Sequence, residues 1–305
     1  MSGHISEGGY RPWKFEMNFN DYAGRAAGEP FNLRGVVDRI DIASDGGNIF
    51  VRVVDYKTGR KKISLSDIDN GLTLQLPVYL EAAVNAASAA STDAVPKGAP
   101  DAFAGAKILP GGLFYFEVRQ PLLDRRKTGR AGFSASMPAK TGLPAAAAED
   151  GGLVKSLAMN GYAVGGIAEY KKNYERDIGA RLSSGIISGV SVKKDGEFAA
   201  KTLAPDLDDY EAIKLAAKNR IVEIREQLGM GTYDISPYKK SGATPCSYCG
   251  YRGACGLDIM KKNEVYRPLQ KKSDRDMLAI FRNLRAAGGG PIAGPPRGQA
   301  PGAGL

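Results

Sequence analysis

The chain has 305 residues, 43% hydrophobic and 25% charged, ordinary proportions for a folded protein with a real core. Its 42 Lys and Arg against 33 Asp and Glu give a net charge of +9, which either favours an anionic partner such as nucleic acid or a membrane surface, or serves solubility alone. No stretch reaches the roughly 18 apolar residues of a membrane span, the first residues lack the apolar centre of a signal peptide, and the single histidine, His4, excludes a two-histidine zinc site built from this chain alone; the expected location is cytoplasmic.

Residues 1–14 read as an irregular lead-in. From about 15 to 57 the chain alternates and is rich in Val, Ile and Phe, so FEMNF, FNLRGVVDRIDI and NIFVRVVDYK read as three strands, with a tight turn at SDGG (44–47). Leu72, Leu76, Val78, Tyr79 and Leu80 predict a helix over about 69–87, which Pro77 either kinks or starts late. Residues 86–106 read as a Pro-punctuated loop, GGLFYFEVRQPL (111–122) as a further strand, and 124–152 as loop. LVKSLAMNGYAV and IAEYKKNYERDIGARL predict short helices, and SGVSVKKDGEF a hairpin. PDLDDYEAIKLAAKNRIVEIREQLGMG predicts an amphipathic helix with Asp206 or Asp208 near its N-cap and Gly229 at its end. The Gly/Pro-rich tail, 286–305, is expected to be disordered.

The chemistry concentrates in the hairpin. Strand side chains alternate with period two, so Asp55 and Lys57 share a face while Tyr56 takes the other. Asp38 lies on the preceding strand, so Asp38, Asp55 and Lys57 can converge at one end of the hairpin. Two close carboxylates repel unless a cation sits between them, and a hard divalent ion such as Mg2+ supplies that charge. Taken alone, D-x-K is equally an ion pair at a strand end, with Asp38 paired to Arg39 or Arg34. Gln75 and Tyr79, four apart, share a helix face and extend the set.

The ordered set GVVD (35–38), DYKTG (55–59) and GLTLQLPVY (71–79) resembles the PD-(D/E)XK nuclease superfamily in its RecB-like branch. The resemblance implies a mixed α/β restriction-endonuclease-like core, a central sheet flanked by helices, across residues 15–285. By resemblance Asp38 and Asp55 are metal ligands, Lys57 is the catalytic lysine, and Gln75 and Tyr79 are the supporting helix motif near the DNA backbone. Glu16 matches an upstream family glutamate less well, no upstream histidine is assigned, and Asp41 reads as a structural partner of Arg39.

Cys246, Cys249 and Cys255 have C-x2-C-x5-C spacing, which suggests metal ligation rather than a disulfide framework. ISPYKKSGATPCSYCGYRGACGLD followed by NEVYRPL resembles the C-terminal end of the AddB (RexB) family, the B subunits of ATP-dependent helicase/nucleases. That resemblance implies a cysteine-rich C-terminal cap (245–258) carrying three of the four ligands of a [4Fe–4S] cluster, with the fourth cysteine absent here. It also implies a Mg2+-dependent DNA exonuclease acting with an AddA-like helicase-nuclease partner in double-strand break repair, and a chain that is a C-terminal fragment or truncated reading frame of such a protein. The alternatives are a Cas4-like iron-sulfur nuclease and a non-catalytic DNA-binding or assembly module. GRKK (59–62) is placed either to hold a strand or as a solvated loop.

Overall fold

Five strands form one mixed sheet in the order in which they occur: β1 (Arg11–Ala26), β2 (Glu29–Asp45), β3 (Asn48–Lys57), β4 (Lys107–Glu117) and β5 (Asn160–Ala163). The computed structural model describes residues 8–26, 28–59, 61–92, 103, 105–118, 158–231, 235–255, 266–269 and 271–288. β2 and β3 are antiparallel and joined through Gly46 and Gly47, whose φ of +54° and +92° place both in the left-handed region that a two-residue hairpin turn demands. β3 and β4 run parallel, which requires a crossover, and α1 (Leu65–Asp69) and α2 (Gln75–Thr92) lie within it. β4 and β5 are antiparallel.

The chain divides into two compact units, the first formed by the described residues within Met1–Tyr22, Leu33–Ile63 and Gln75–Tyr210. Its central strand β3 is buried from Ile49 to Asp55 on both faces, which is why that stretch is a nearly unbroken apolar run. On the rear face Phe50, Val54, Phe114 and Phe116 pack with Tyr10, with Tyr170 from α3 (Ile167–Asn173), with Tyr174, and with Ile178 from α4 (Ile178–Arg181). On the front face α2 packs against β3 and β4, and its Leu76, Leu80, Ala83 and Ala87 recur at helical spacing and are fully buried. Burying a leucine of this kind stabilises the fold by about 1.5–3 kcal/mol.

The second unit comprises the described residues within Ala23–Asn32, Ser64–Leu74 and Glu211–Leu305. It holds α1, most of α5 (Leu207–Gly229), the short strands β6 (Tyr238–Lys239) and β7 (Arg267–Pro268), a 3-10 turn (Pro245–Tyr248), α6 (Arg252–Cys255) and α7 (Asp274–Ala286). α7 starts at Ser273, whose hydroxyl accepts the Asp276 N–H, and buries Met277, Leu278 and Phe281. Asp274 accepts the Leu65 N–H at 2.9 Å, and Lys240 donates to both Asp67 oxygens at 2.5 and 2.6 Å, so α1 is held from two later segments of the same unit.

Several sequence expectations change. β1 begins at Arg11, so the lead-in is shorter than 14 residues. α2 begins at Gln75, which places Pro77 in its first turn, where the missing N–H costs nothing, and it continues through the small residues to Thr92. Asn160–Ala163, read as helix, is a strand, because pairing with β4 outweighs the local pattern. The hairpin expected at 188–198 is short: one bridge, Val192↔Phe198, is flanked by backbone bonds from the Lys193 N–H to the Glu197 carbonyl and from the Ala199 N–H to the Ser191 carbonyl. Asp206 caps α5 reciprocally: its Oδ1 accepts the Asp209 N–H at 2.7 Å, and Asp209 Oδ2 accepts the Asp206 N–H at 3.2 Å. The loop expected at 124–152 and residues 289–305 of the expected disordered tail lie outside the described residues. Among the described residues no helix is long and apolar enough to cross a membrane.

Candidate active site

The register of the β2/β3 hairpin assembles the site. Its last registered pair is Arg39↔Val54, and one step further brings Asp38 level with Asp55 on the front face. There the ladder gives way to a side chain: Asp38 Oδ2 accepts the Tyr56 backbone N–H at 2.7 Å. Asp55 is 1% exposed, whereas Asp38 is half-buried. Lys57, two residues beyond Asp55 and so on the same face, makes an ion pair with Asp55 Oδ2.

α2 supplies the rest. Lys57 Nζ donates to Gln75 Oε1 at 3.2 Å, and Gln75 Nε2 donates to Tyr79 Oη at 2.9 Å. Gln75 and Tyr79 stand one turn apart on the helix, so a single amide spans them. Asp55, Lys57, Gln75 and Tyr79 form one connected polar string, with Asp38 beside its buried end. All five residues expected from the sequence come together.

Electrostatics set the character of the pair. Burial raises the Asp55 pKa above the ordinary carboxylate value, Lys57 pulls it back down, Asp38 pushes it up, and exposed Lys61 lowers it. Two carboxylates side by side, one desolvated, make a donor set that is short of positive charge. Hard divalent cations favour such sets, and Mg2+ is held by one or two carboxylates while keeping waters and substrate phosphate oxygens as its other ligands. Asp38 and Asp55 fit that requirement.

The glycine of GVVD has a steric role. A Cβ on Gly35 would lie 2.9 Å from the ring of Phe19 and 3.4 Å from that of Tyr79. Those rings meet edge to face with centroids 5.8 Å apart, directly over the glycine. Gly35 thus makes the space in which Tyr79 reaches Gln75. In the sequence this glycine is a motif letter with no role assigned to it.

Other expectations fare differently. Asp41 is a structural partner of Arg39, as expected: Arg39 donates to it at 2.6 and 2.9 Å. The pairing of Asp38 with Arg39 does not occur, because Arg39 points to the opposite face. Glu16 sits exposed on β1 in the left-handed region, with φ +47°. His4 lies outside the described residues.

The cysteine expectation finds no support in the structure. Cys246 lies in the 3-10 turn, Cys249 at its C-cap and Cys255 at the end of α6, all free, with Cys249 and Cys255 exposed. Among the described residues no three His, Cys, Asp or Glu side chains gather as a thiolate-held cluster requires. A [4Fe–4S] cluster takes four thiolates, and this chain has three that are not drawn together. The residues present do not fit the cluster, and the structure does not support a cluster-bearing cap.

The model of the PD-(D/E)XK nuclease superfamily matches residues 2–256. The chain belongs to this superfamily. The PD-(D/E)XK assignment agrees with the mixed five-stranded sheet. The chain is also similar to the B subunit of the ATP-dependent helicase/deoxyribonuclease of Clostridium kluyveri (strain NBRC 12016), 29% identical over 291 residues that make up 93% of this chain and 22% of the relative. The protein of the same name from Clostridium tetani (strain Massachusetts / E88) is 29% identical over 292 residues, 92% of this chain and 22% of the relative. That from Thermoanaerobacter sp. (strain X514) is 27% identical over 295 residues, 90% of this chain and 23% of the relative. This PD-(D/E)XK chain therefore spans under a quarter of the length of the curated relatives it matches.

Proposed function

We propose that the chain is a metal-dependent deoxyribonuclease module that hydrolyses phosphodiester bonds at DNA ends, working with an AddA-like helicase-nuclease partner in double-strand break repair. The observation that carries this reading is the meeting of Asp38 and Asp55 on adjacent strands with Lys57 beside them, in a chain of the PD-(D/E)XK superfamily. The names of the similar proteins support the substrate and the partner. The same names favour this reading over the Cas4-like one.

Asp38 and Asp55 would hold the cation, Mg2+ in the first instance, which when bound supplies Lewis acidity to a phosphate oxygen. Lys57 keeps its ammonium at the site through the Asp55 charge and the Gln75 carbonyl, so its remaining N–H groups can meet a phosphate oxygen as negative charge grows there. Gln75 orients that ammonium and Tyr79 anchors the amide. Exposed Lys61 and Lys62, just past the catalytic strand, give the DNA backbone positive charge to follow.

The test is degradation of end-labelled linear DNA by the purified chain with and without Mg2+, beside Asp55→Asn, with circular dichroism confirming that both are folded. Mg2+-dependent degradation lost in the variant is the expected result. A folded wild-type chain that binds DNA without cutting it would replace this reading with that of a non-catalytic DNA-binding module.

A further inference from the structure

The rear face of the same hairpin carries a second set of charges that cutting DNA does not explain. Asp41, fully buried, stands level with Arg52 on β3. It accepts Arg39 Nε and Nη2 at 2.6 and 2.9 Å and Arg52 Nε at 2.9 Å, and Arg52 Nη2 lies 2.8 Å from the same carboxylate. Arg52 is 1% exposed, with its guanidinium 4.2 Å from the ring centroid of Tyr10 and 5.4 Å from that of Tyr174. Arg39 Nη1 reaches Tyr56 Oη at 3.4 Å, and Tyr56 packs edge-on against Phe116. The backbone N–H of that same Tyr56 holds Asp38.

We propose that Arg52, Asp41, Arg39 and Tyr56 form a positioning network that sets β2 against β3 in the one register that brings Asp38 level with Asp55. The inference rests on the reading that this carboxylate pair holds a divalent cation.

Apolar patterning cannot select this register by itself. On the front face Ile40 and Ile42 of β2 lie level with Val53 and Val51 of β3, all buried, and a pairing shifted by two residues would still bury them. Only a slip of one residue carries the apolar set to the other face, so burial does not oppose a slip of two. The charges supply the missing specificity. A slip of two residues keeps every side chain on its face, yet sets Arg52 level with Arg39 or Ala43 instead of Asp41. It also sets Asp55 level with Val36 or Ile40 instead of Asp38, which breaks the carboxylate pair. Leaving a buried ion without its partner is strongly unfavourable, and fixing register is the best-attested use of buried ion pairs. Tyr56 then ties rear to front, because its hydroxyl meets Arg39 while its amide holds the residue next to Arg39 in the chain.

The experiment measures Mn2+ binding by electron paramagnetic resonance, without DNA, beside thermal unfolding. The central variant is Arg39→Met/Asp41→Leu/Arg52→Met, since replacing a whole buried ion network by apolar groups of similar volume is often neutral or stabilising. A folded triple variant whose Mn2+ affinity falls tenfold or more supports the proposal. A folded triple variant with wild-type affinity overturns it. If the triple variant does not fold, Arg39→Lys decides, because it keeps the charge but loses the two-pronged grip on Asp41: a threefold or greater loss supports the proposal, and unchanged affinity overturns it. Asp55→Asn is the separate control. If it binds Mn2+ like the wild type, the cation reading itself fails, whatever the network variants do.

Discussion

Replacing Gln75 by Leu isolates what the helix contributes to the chemistry. Gln75 Oε1 is the acceptor, at 3.2 Å, that holds Lys57 Nζ on its helix side, and the Asp55 charge is the hold on the other. A hydrogen bond to a charged group contributes about 1.5–3 kcal/mol. The Lys57 side chain is 30% exposed, so water replaces part of the loss and the lower end of that range applies. About 1.4 kcal/mol of transition-state stabilisation is a factor of ten in rate, so Gln75→Leu should cut DNA about tenfold more slowly. Gln75 is the first residue of α2, and leucine is a good helix former of similar length, so thermal stability should change by less than about 1 kcal/mol. The assay is single-turnover cleavage of labelled linear DNA beside a melting curve, with Lys57→Met as the reference for complete loss of the ammonium. A Gln75→Leu rate within twofold of wild type, with Lys57→Met inactive, would show that Asp55 alone positions the lysine and would refute the reasoning.

Two further outcomes follow from the packing. Gly35→Ala drives a methyl to 2.9 Å from the Phe19 ring, an overpacking that costs about 1–3 kcal/mol, and because Tyr79 lies on the same spot, urea unfolding and cleavage should both suffer. A variant as stable and active as wild type would mean that the rings shift freely. Burial pushes the Tyr10 phenol from 10.0 up to about 12, so the unfolded chain ionises first and folding stability, intact below pH 10, should fall as pH rises toward 12. Two pH units correspond to at most about 3 kcal/mol, and denaturant unfolding of Tyr10→Phe should lose that share of the alkaline slope.

Much of the site was legible because its period is local. Asp55 and Lys57 share a face by strand alternation alone, Gln75 and Tyr79 by helical spacing, and the SDGG turn makes β2 and β3 neighbours. The expected start of α2 turned on Pro77, and the late start proved to be the right alternative. What was not legible depends on distant partners. Arg52 interrupts the apolar run FVRVVD, a visible anomaly, but its need for Asp41 appears only once register pairs the two. Asn160–Ala163 falls at the end of a stretch expected to be helical and becomes a strand because β4 presents an edge to it. The cysteine spacing suggested a cluster, yet spacing along a chain does not gather thiols in space, and the described residues do not gather them. Nor does the sequence announce the division into two units, since segments of both units alternate along the chain.

The hydrogens along the Lys57–Gln75–Tyr79 string all run one way. An ammonium has no lone pair to offer, so Gln75 must turn its carbonyl to Lys57 and therefore its amino group to Tyr79. Tyr79 Oη, already accepting that amino hydrogen, is left to give its own hydrogen elsewhere. The string thus ends in a donor at the tyrosine as well as at the lysine. Such an arrangement welcomes an acceptor that carries negative charge, as a phosphodiester oxygen does, and turns away a cation from the helix end while the carboxylate end attracts one.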